Sequence, residues 1–254
     1  MKGFLEYVDG TSFLHRMNPV AKLLCSLLIA VAAFVSKNLI FLVALIALDY
    51  ALAAVAKMMR QTLGLTKAII IFAALLGVLA ILTSKPAEGA KILVALPWGS
   101  ISTTSLINAL LIFLRLIAAA IPMFLTFYVT KVNDMANAAV KVLHVPYSYA
   151  FAFSSTVKFI PTFMNDMSGI MEAQTARGVE FDGGLAKKIR LMAPLCVPLL
   201  VSSVRKINSS AIAAEVRGFN LRTRDSGLKE YPLRPADILA LVLCTAFVVL
   251  AVLM

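Results

Sequence analysis

The chain has 254 residues, 61% of them apolar, with 24 Lys and Arg against 13 Asp and Glu and a formal net charge of +11. Its mean hydropathy of +0.90 lies well above soluble usage and excludes an ordinary water-soluble domain. The basic excess is the kind that the positive-inside bias gives a small polytopic membrane protein, so it is no nucleic-acid footprint.

The first residues, 1–18, are polar and mixed in charge, without the short apolar region and small-residue site of a removable leader. Runs of about 20 apolar residues match a hydrocarbon core of about 30 Å. They predict membrane-spanning helices at 20–36, 38–57, 66–83, 105–130 and 236–254. The expected fold is therefore all-α and polytopic, with about five crossings: four in an N-terminal membrane part, 1–130, and a final one in 236–254. Lys2, Arg16 and Lys22 lie before or at the very start of the first run, Lys57, Arg60 and Lys67 lie at the joint of the second and third, and fourteen basic residues fall in 131–235. Lys37 alone, and Lys85 and Lys91 in the Pro/Gly-punctuated 84–104 loop with Trp98 at its interface, mark the opposite side. This asymmetry puts the amino terminus in the cytoplasm and the carboxyl terminus outside.

Between the fourth and fifth runs, in 131–235, apolar residues recur at helical spacing among charges and prolines, as in amphipathic helices at a membrane surface. Pro161 suits the first turn of a helix whose stripe is Phe163, Met164, Met167, Ile170 and Met171, and which Gly178 stops. A second helix beginning near Pro198 carries Leu200, Val204, Ile207 and Ala211 on one face, with Arg205, Lys206, Asn208 and Ser209 on the other, and ends at Gly218. The two ends match across 40 residues: Ala173-Gln-Thr-Ala-Arg-Gly178 and Ala213-Ala-Glu-Val-Arg-Gly218.

A cation in a helix's last turn meets the negative end of its dipole, and glycine takes the left-handed conformation that closes it. One such ending is ordinary capping. Two of them, each with an alanine four residues before the arginine, point to a docking device that presents a planar guanidinium to carboxylates or carbonyls of a partner. The charged link Glu180-Phe-Asp-Gly-Gly-Leu-Ala-Lys-Lys-Ile-Arg190 lets the two helices form a V or an X with both tips together.

On these residues the chain resembles a known family. Thr11-Ser-Phe-Leu-His-Arg-Met-Asn-Pro-Val-Ala-Lys-Leu23, Lys158-Phe-Ile-Pro161, Ala176-Arg-Gly178, and Glu215-Val-Arg-Gly-Phe-Asn220 followed by Arg222-Thr-Arg224 are similar to the transmembrane T component of energy-coupling factor (ECF) transporters. The similarity runs nearly end to end. It implies a coupling subunit of an ATP-driven importer of vitamins or transition-metal ions. The partners implied are two ABC-type ATPase subunits and a small substrate-binding S component in the bilayer. It also implies that the two Ala-Arg-Gly motifs end coupling helices that insert into the ATPases. Ala176, Arg177 and Gly178 match the first motif in full. The second has Val216 where alanine is usual, with Arg217 and Gly218 in place.

Asp49 and Arg115 fall inside predicted spans, eleven and ten residues from the outer starts of theirs. Intramembrane charges are costly enough to mark candidates. We expect either a structural ion pair or independent solvation, and no proton relay, since no span holds a histidine or second buried acid. His15 and His144 lie in polar or interfacial segments, where ordinary hydrogen bonding is expected.

No phosphate-binding Gly-x-x-x-x-Gly-Lys-Ser/Thr loop, His-Glu-x-x-His helix or Gly-x-Ser-x-Gly elbow is present, so neither catalysis nor a cofactor is expected. Cys25, Cys196 and Cys244 are spread through apolar runs and read as core residues instead of a disulfide or metal framework. The methionine stripe reads as adaptable packing surface. Two other classes remain open. A conventional ABC permease is favoured by Glu172-Ala-Gln-Thr-Ala-Arg-Gly178 with Ile189 and Leu191 following, and opposed by the repeated arginine tip. A secondary transporter or channel would call for inverted repeats, which the chain lacks.

Overall fold

In a computed structural model the chain is described for residues 10, 12–83, 92–96, 99–179, 181, 184–223, 226–227 and 229–253. Of the residues named above, Lys2, Thr11, Lys85, Lys91, Trp98, Glu180, Asp182, Gly183 and Arg224 lie outside this set. The chain is all-α and polytopic: α1 (Phe13–Arg16), α2 (Pro19–Val35), α3 (Leu39–Val55), α4 (Met59–Thr83), α5 (Thr103–Val129), α6 (Val132–Leu143), α7 (Tyr147–Ala176), α8 (Leu185–Val216) and α9 (Pro235–Leu253). Before α5 stands one small departure, an antiparallel hairpin of β1 (Ile92–Leu96) and β2 (Gly99–Ser102) with Val94 opposite Ile101. It lies inside what the sequence gives only as a loop.

Two compact units divide the chain, Met1–Ala138 with Tyr231–Met254, and Ala139–Glu230. In the first, helix starts follow local chemistry. Asn18 accepts from the Val20 amide at 2.9 Å and Pro19 occupies the first turn, so α2 begins one residue ahead of the apolar run. Asn38 does the same for α3 through the Ile40 amide at 3.0 Å. α3 ends in a left-handed Lys57 (φ 59°), with the Met58 amide donating to Ala53 at 3.0 Å. Small side chains let the helices approach: Ala32 and Ala33 of α2, Ala118 of α5 and Ala251 of α9 are buried with Ile29, Phe41, Leu42 and Leu45. Outward-facing Ile40 and Ile71 are about three-quarters exposed, as a lipid-facing surface requires. Asn18 also donates to the Tyr231 carbonyl at 2.8 Å, and the Tyr231 hydroxyl donates to Asp134 at 3.0 Å, which ties the start of α9 to α2 and α6. Burial, with the neighbouring Asp134 carboxylate, pushes the Tyr231 phenol well above its ordinary range.

By length and composition, Met59–Ile81, Thr103–Val129, Arg190–Val216 and Pro235–Leu253 are apolar enough to cross a bilayer, and α2 and α3 are shorter apolar helices of 17 residues each. The Arg190–Val216 stretch has the lowest mean hydropathy of the four, 1.2 against 2.3 or more, and carries Arg205 and Lys206.

In the second unit both proline-based helix starts are corrected. Pro161 lies inside the 30-residue α7, and Pro194 and Pro198 lie inside the 32-residue α8. An internal proline removes a single i→i−4 bond and strains its turn, which long flanking helices can absorb. Cys196 is likewise no core residue: it is exposed on α8, whereas Cys25 and Cys244 are buried in the membrane unit.

Candidate functional site

The two arginine endings are built alike by backbone chemistry. α7 stops at Ala176. Gly178 takes φ 87°, its amide donates to Thr175 at 2.9 Å, and the Val179 amide reaches Gln174 at 3.1 Å. This double closure satisfies carbonyls that the end of a helix leaves open. α8 stops at Val216, with Gly218 at φ 74° and its amide donating to Glu215 at 2.9 Å. In each case arginine is the last residue before the turn, at φ −88° for Arg177 and φ −82° for Arg217. Ala176, Arg177, Gly178, Val216 and Arg217 are exposed and Gly218 is half-buried. Val216, the departure from the alanine pattern, is 83% exposed.

α7 and α8 meet at a charged contact. Lys206 Nζ lies 2.7 and 2.5 Å from the two Asp166 carboxylate oxygens, and Ser202 Oγ donates to Oδ2 at 3.2 Å. The hydrogen bond from Lys206 holds the Asp166 carboxyl below its ordinary value. The apolar faces seen in the sequence are only partly covered: Phe163, Met167, Ile170 and Met171 of α7 are half-buried, whereas Leu200, Val204 and Ile207 of α8 and Met164 of α7 are each more than half exposed. That leaves them as an open surface.

From the charged contact the two helices run in opposite directions. Phe219, just past the α8 tip, has its ring 4.8 Å from that of Phe151 and 5.5 Å from that of Tyr147, on the first turns of α7. Arg222 Nη1 donates to the Tyr147 hydroxyl at 2.5 Å, with its guanidinium carbon 4.6 Å from the ring centroid. Arg217 therefore sits near the beginning of α7, and Arg177 lies at its end, about 39 Å of helix beyond Phe151 at 1.5 Å per residue. The expected arrangement with both tips together is corrected. The link after Gly178 joins only the end of α7 to the start of α8, and 32 residues of helix then carry the second tip away.

No side chain among the described residues hydrogen-bonds or ion-pairs with the guanidinium of Arg177 or Arg217. Beside Arg217 a groove is lined by Ser210, Ala213, Phe219, Arg222 and Ser226. Sequence reasoning singled out both arginines but missed Tyr147, Phe151 and Phe219 as the wall of this groove. The aromatic residues carry no spacing that joins positions 147 and 219.

Of the two arrangements expected for Asp49 and Arg115, the ion pair is not the one seen. Arg115 of α5 donates through Nε at 3.2 Å and Nη2 at 2.7 Å to the carbonyl of Ser36, which caps the end of α2. A guanidinium there answers an open helix-end carbonyl and the dipole together. Asp49 is fully buried in α3, and neither carboxylate oxygen has a hydrogen-bond partner among the described residues.

Comparison with known proteins bears on the whole of this arrangement. Residues 10–227 match the family described as CbiQ, cobalt transport protein. The energy-coupling factor transporter transmembrane protein EcfT of Lactococcus lactis subsp. cremoris is 31% identical over 84% of this chain and 83% of its own length. The protein of the same name from Streptococcus equi subsp. equi is 30% identical over 84% and 82%. That of Clostridium kluyveri is 30% identical over 98% and 94%.

Proposed function

The chain belongs to the CbiQ cobalt transport protein family and is a membrane component of the energy-coupling factor transporters, and from that premise we propose that it couples two ATPase subunits to a small substrate-binding S component. In this reading Arg177 and Arg217, with Ala176, Gly178, Val216 and Gly218 around them, each dock on one ATPase. The observation that carries it is the pair of exposed helix ends, each closed by a left-handed glycine. Each presents a guanidinium with no partner among the described residues.

Two ends facing away from one another suit two separate binding sites. A planar fork of donors suits carboxylates or backbone carbonyls on those sites. ATP-driven closure of the ATPase pair then moves the helix tips, provided the partner's states bind them differently, and the motion reaches the S component in the membrane. The exposed apolar residues of α7 and α8, Met164, Leu200, Val204 and Ile207, supply a surface for that component. The chain performs no chemistry of its own, its amino terminus lies in the cytoplasm, and residues 131–235 form the coupling region between the first four spans and the last. The cargo is a vitamin or a transition-metal ion.

The test is assembly with the ATPase subunits that copurify from native membranes, together with substrate-dependent ATP hydrolysis. Arg177→Ala and Arg217→Ala are each expected to weaken assembly at least tenfold, about 1.4 kcal/mol or more by analogy with interfacial charge truncations. The double variant is expected to abolish coupled hydrolysis. Unchanged assembly and uptake in the double variant would remove the docking role. Copurification of a small, very apolar membrane protein identifies the S component and hence the cargo.

A further inference from the structure

The two tips share a left-handed glycine and its amide bond back into the helix, the Val179 amide adding a second bond at the first tip, but they differ in what side chains hold them afterwards. Past Gly178, the described residues up to the start of α8 make no ring contact, ion pair or side-chain hydrogen bond. Past Gly218, one turn of 3-10 helix, Phe219–Leu221, carries the chain straight into the Tyr147–Phe151–Phe219 cluster. Arg222 fixes the same tyrosine both by its hydroxyl and against its ring. Tyr147 and Phe151 are one helical turn apart, so they offer one continuous edge of α7 to the incoming ring. Only Gly218 separates Phe219 from Arg217, which leaves the backbone at Arg217 little freedom of direction once the ring is seated.

We propose that this clasp presets the Arg217 tip. Tyr147, Phe219 and Arg222 act as positioning residues for the docking arginine, and among the described residues the Arg177 tip has no such device. The inference rests on the docking role of the arginines. A helix end whose backbone is already fixed has less conformational freedom to lose on association, so the clasped tip binds with a smaller ordering penalty. The unclasped tip adapts to whatever surface it meets. The two motifs, alike in sequence, thus perform unequal parts: Arg217 sets the register of the complex and Arg177 follows.

Two measurements separate the clasp from the docking reading. In the Cys196→Ser background of the full chain in lipid nanodiscs, spin labels at Val216→Cys and Phe153→Cys report the α8 tip against α7. Arg222→Ala and Phe219→Ala are expected to broaden that distance distribution, and Tyr147→Phe, which keeps the rings and loses the hydroxyl, to broaden it less. An unchanged distribution in Arg222→Ala and Phe219→Ala overturns the clasp whatever the arginines do. The second is a double-mutant cycle on affinity for the copurifying ATPase subunits. Arg222→Ala is expected to weaken binding about fivefold in the native and Arg177→Ala chains and to change it little in the Arg217→Ala chain, with Arg222→Lys recovering part of the loss. An equal loss in the Arg177→Ala and Arg217→Ala backgrounds overturns the positioning role. Native affinity of Arg217→Ala itself, with the distance still broadened by Arg222→Ala, removes the docking premise and with it the positioning role, and leaves the clasp as a structural element.

Discussion

Arg115 and Asp49 are both charged letters inside apolar runs, yet their roles diverge. Arg115→Gln would strip the Ser36 carbonyl of its donors at a buried helix end, and a loss of about 1–3 kcal/mol is expected, read as a lower thermal midpoint in detergent. Asp49→Asn removes no partner seen among the described residues, so an unchanged or higher midpoint is expected. A midpoint lowered equally by both substitutions would restore the idea of a pair. This difference is not legible in the sequence because a backbone carbonyl belongs to every residue and leaves no mark of its own. Asp166 and Lys206 were equally hidden: each reads as one more charge on an amphipathic face. Their contact predicts that Asp166→Lys separates α7 from α8 and that adding Lys206→Asp restores them, as a label distance across the pair would report. The carboxyl is held below its ordinary 3.8 by Lys206, so its contribution is fully present above that value. It is lost as pH falls through the lower folded value. The label distance should therefore lengthen only in strong acid.

Elements were far more legible than contacts. Apolar runs located α2, α3, α5 and α9 to within two residues at either end, because a helix that faces lipid needs one continuous apolar stretch. α4 begins at Met59, seven residues before its run, since its first turns are polar and leave the hydropathy signal behind. Prolines misled at α7 and α8, where helical context outweighed the local preference for a start. The two glycine stops were readable, and each has a positive φ that other residues adopt at about 1–2 kcal/mol. Gly178→Ala and Gly218→Ala should each lower stability by about that amount, with Asn at either position tolerated better, as thermal unfolding would measure. No added Cβ would collide at either glycine, so backbone strain alone sets the effect.

For the molecule as a whole, charge distribution carries the topological prediction. A cysteine at Lys37 is expected to react with an impermeant thiol reagent from outside intact cells, and one at Arg60 only after the membrane is opened. The reverse pattern would invert the proposed orientation. What the chain could not announce is how its 40-residue repeat is deployed in space. Asp166 precedes Arg177 by eleven residues and Lys206 precedes Arg217 by the same eleven, so the charged contact divides the pair into arms of equal length, each about 16 Å. With the arms pointing opposite ways, the contact is the pivot of a balanced seesaw. A rigid turn of about 10° there would swing each tip by about 3 Å, in opposite senses.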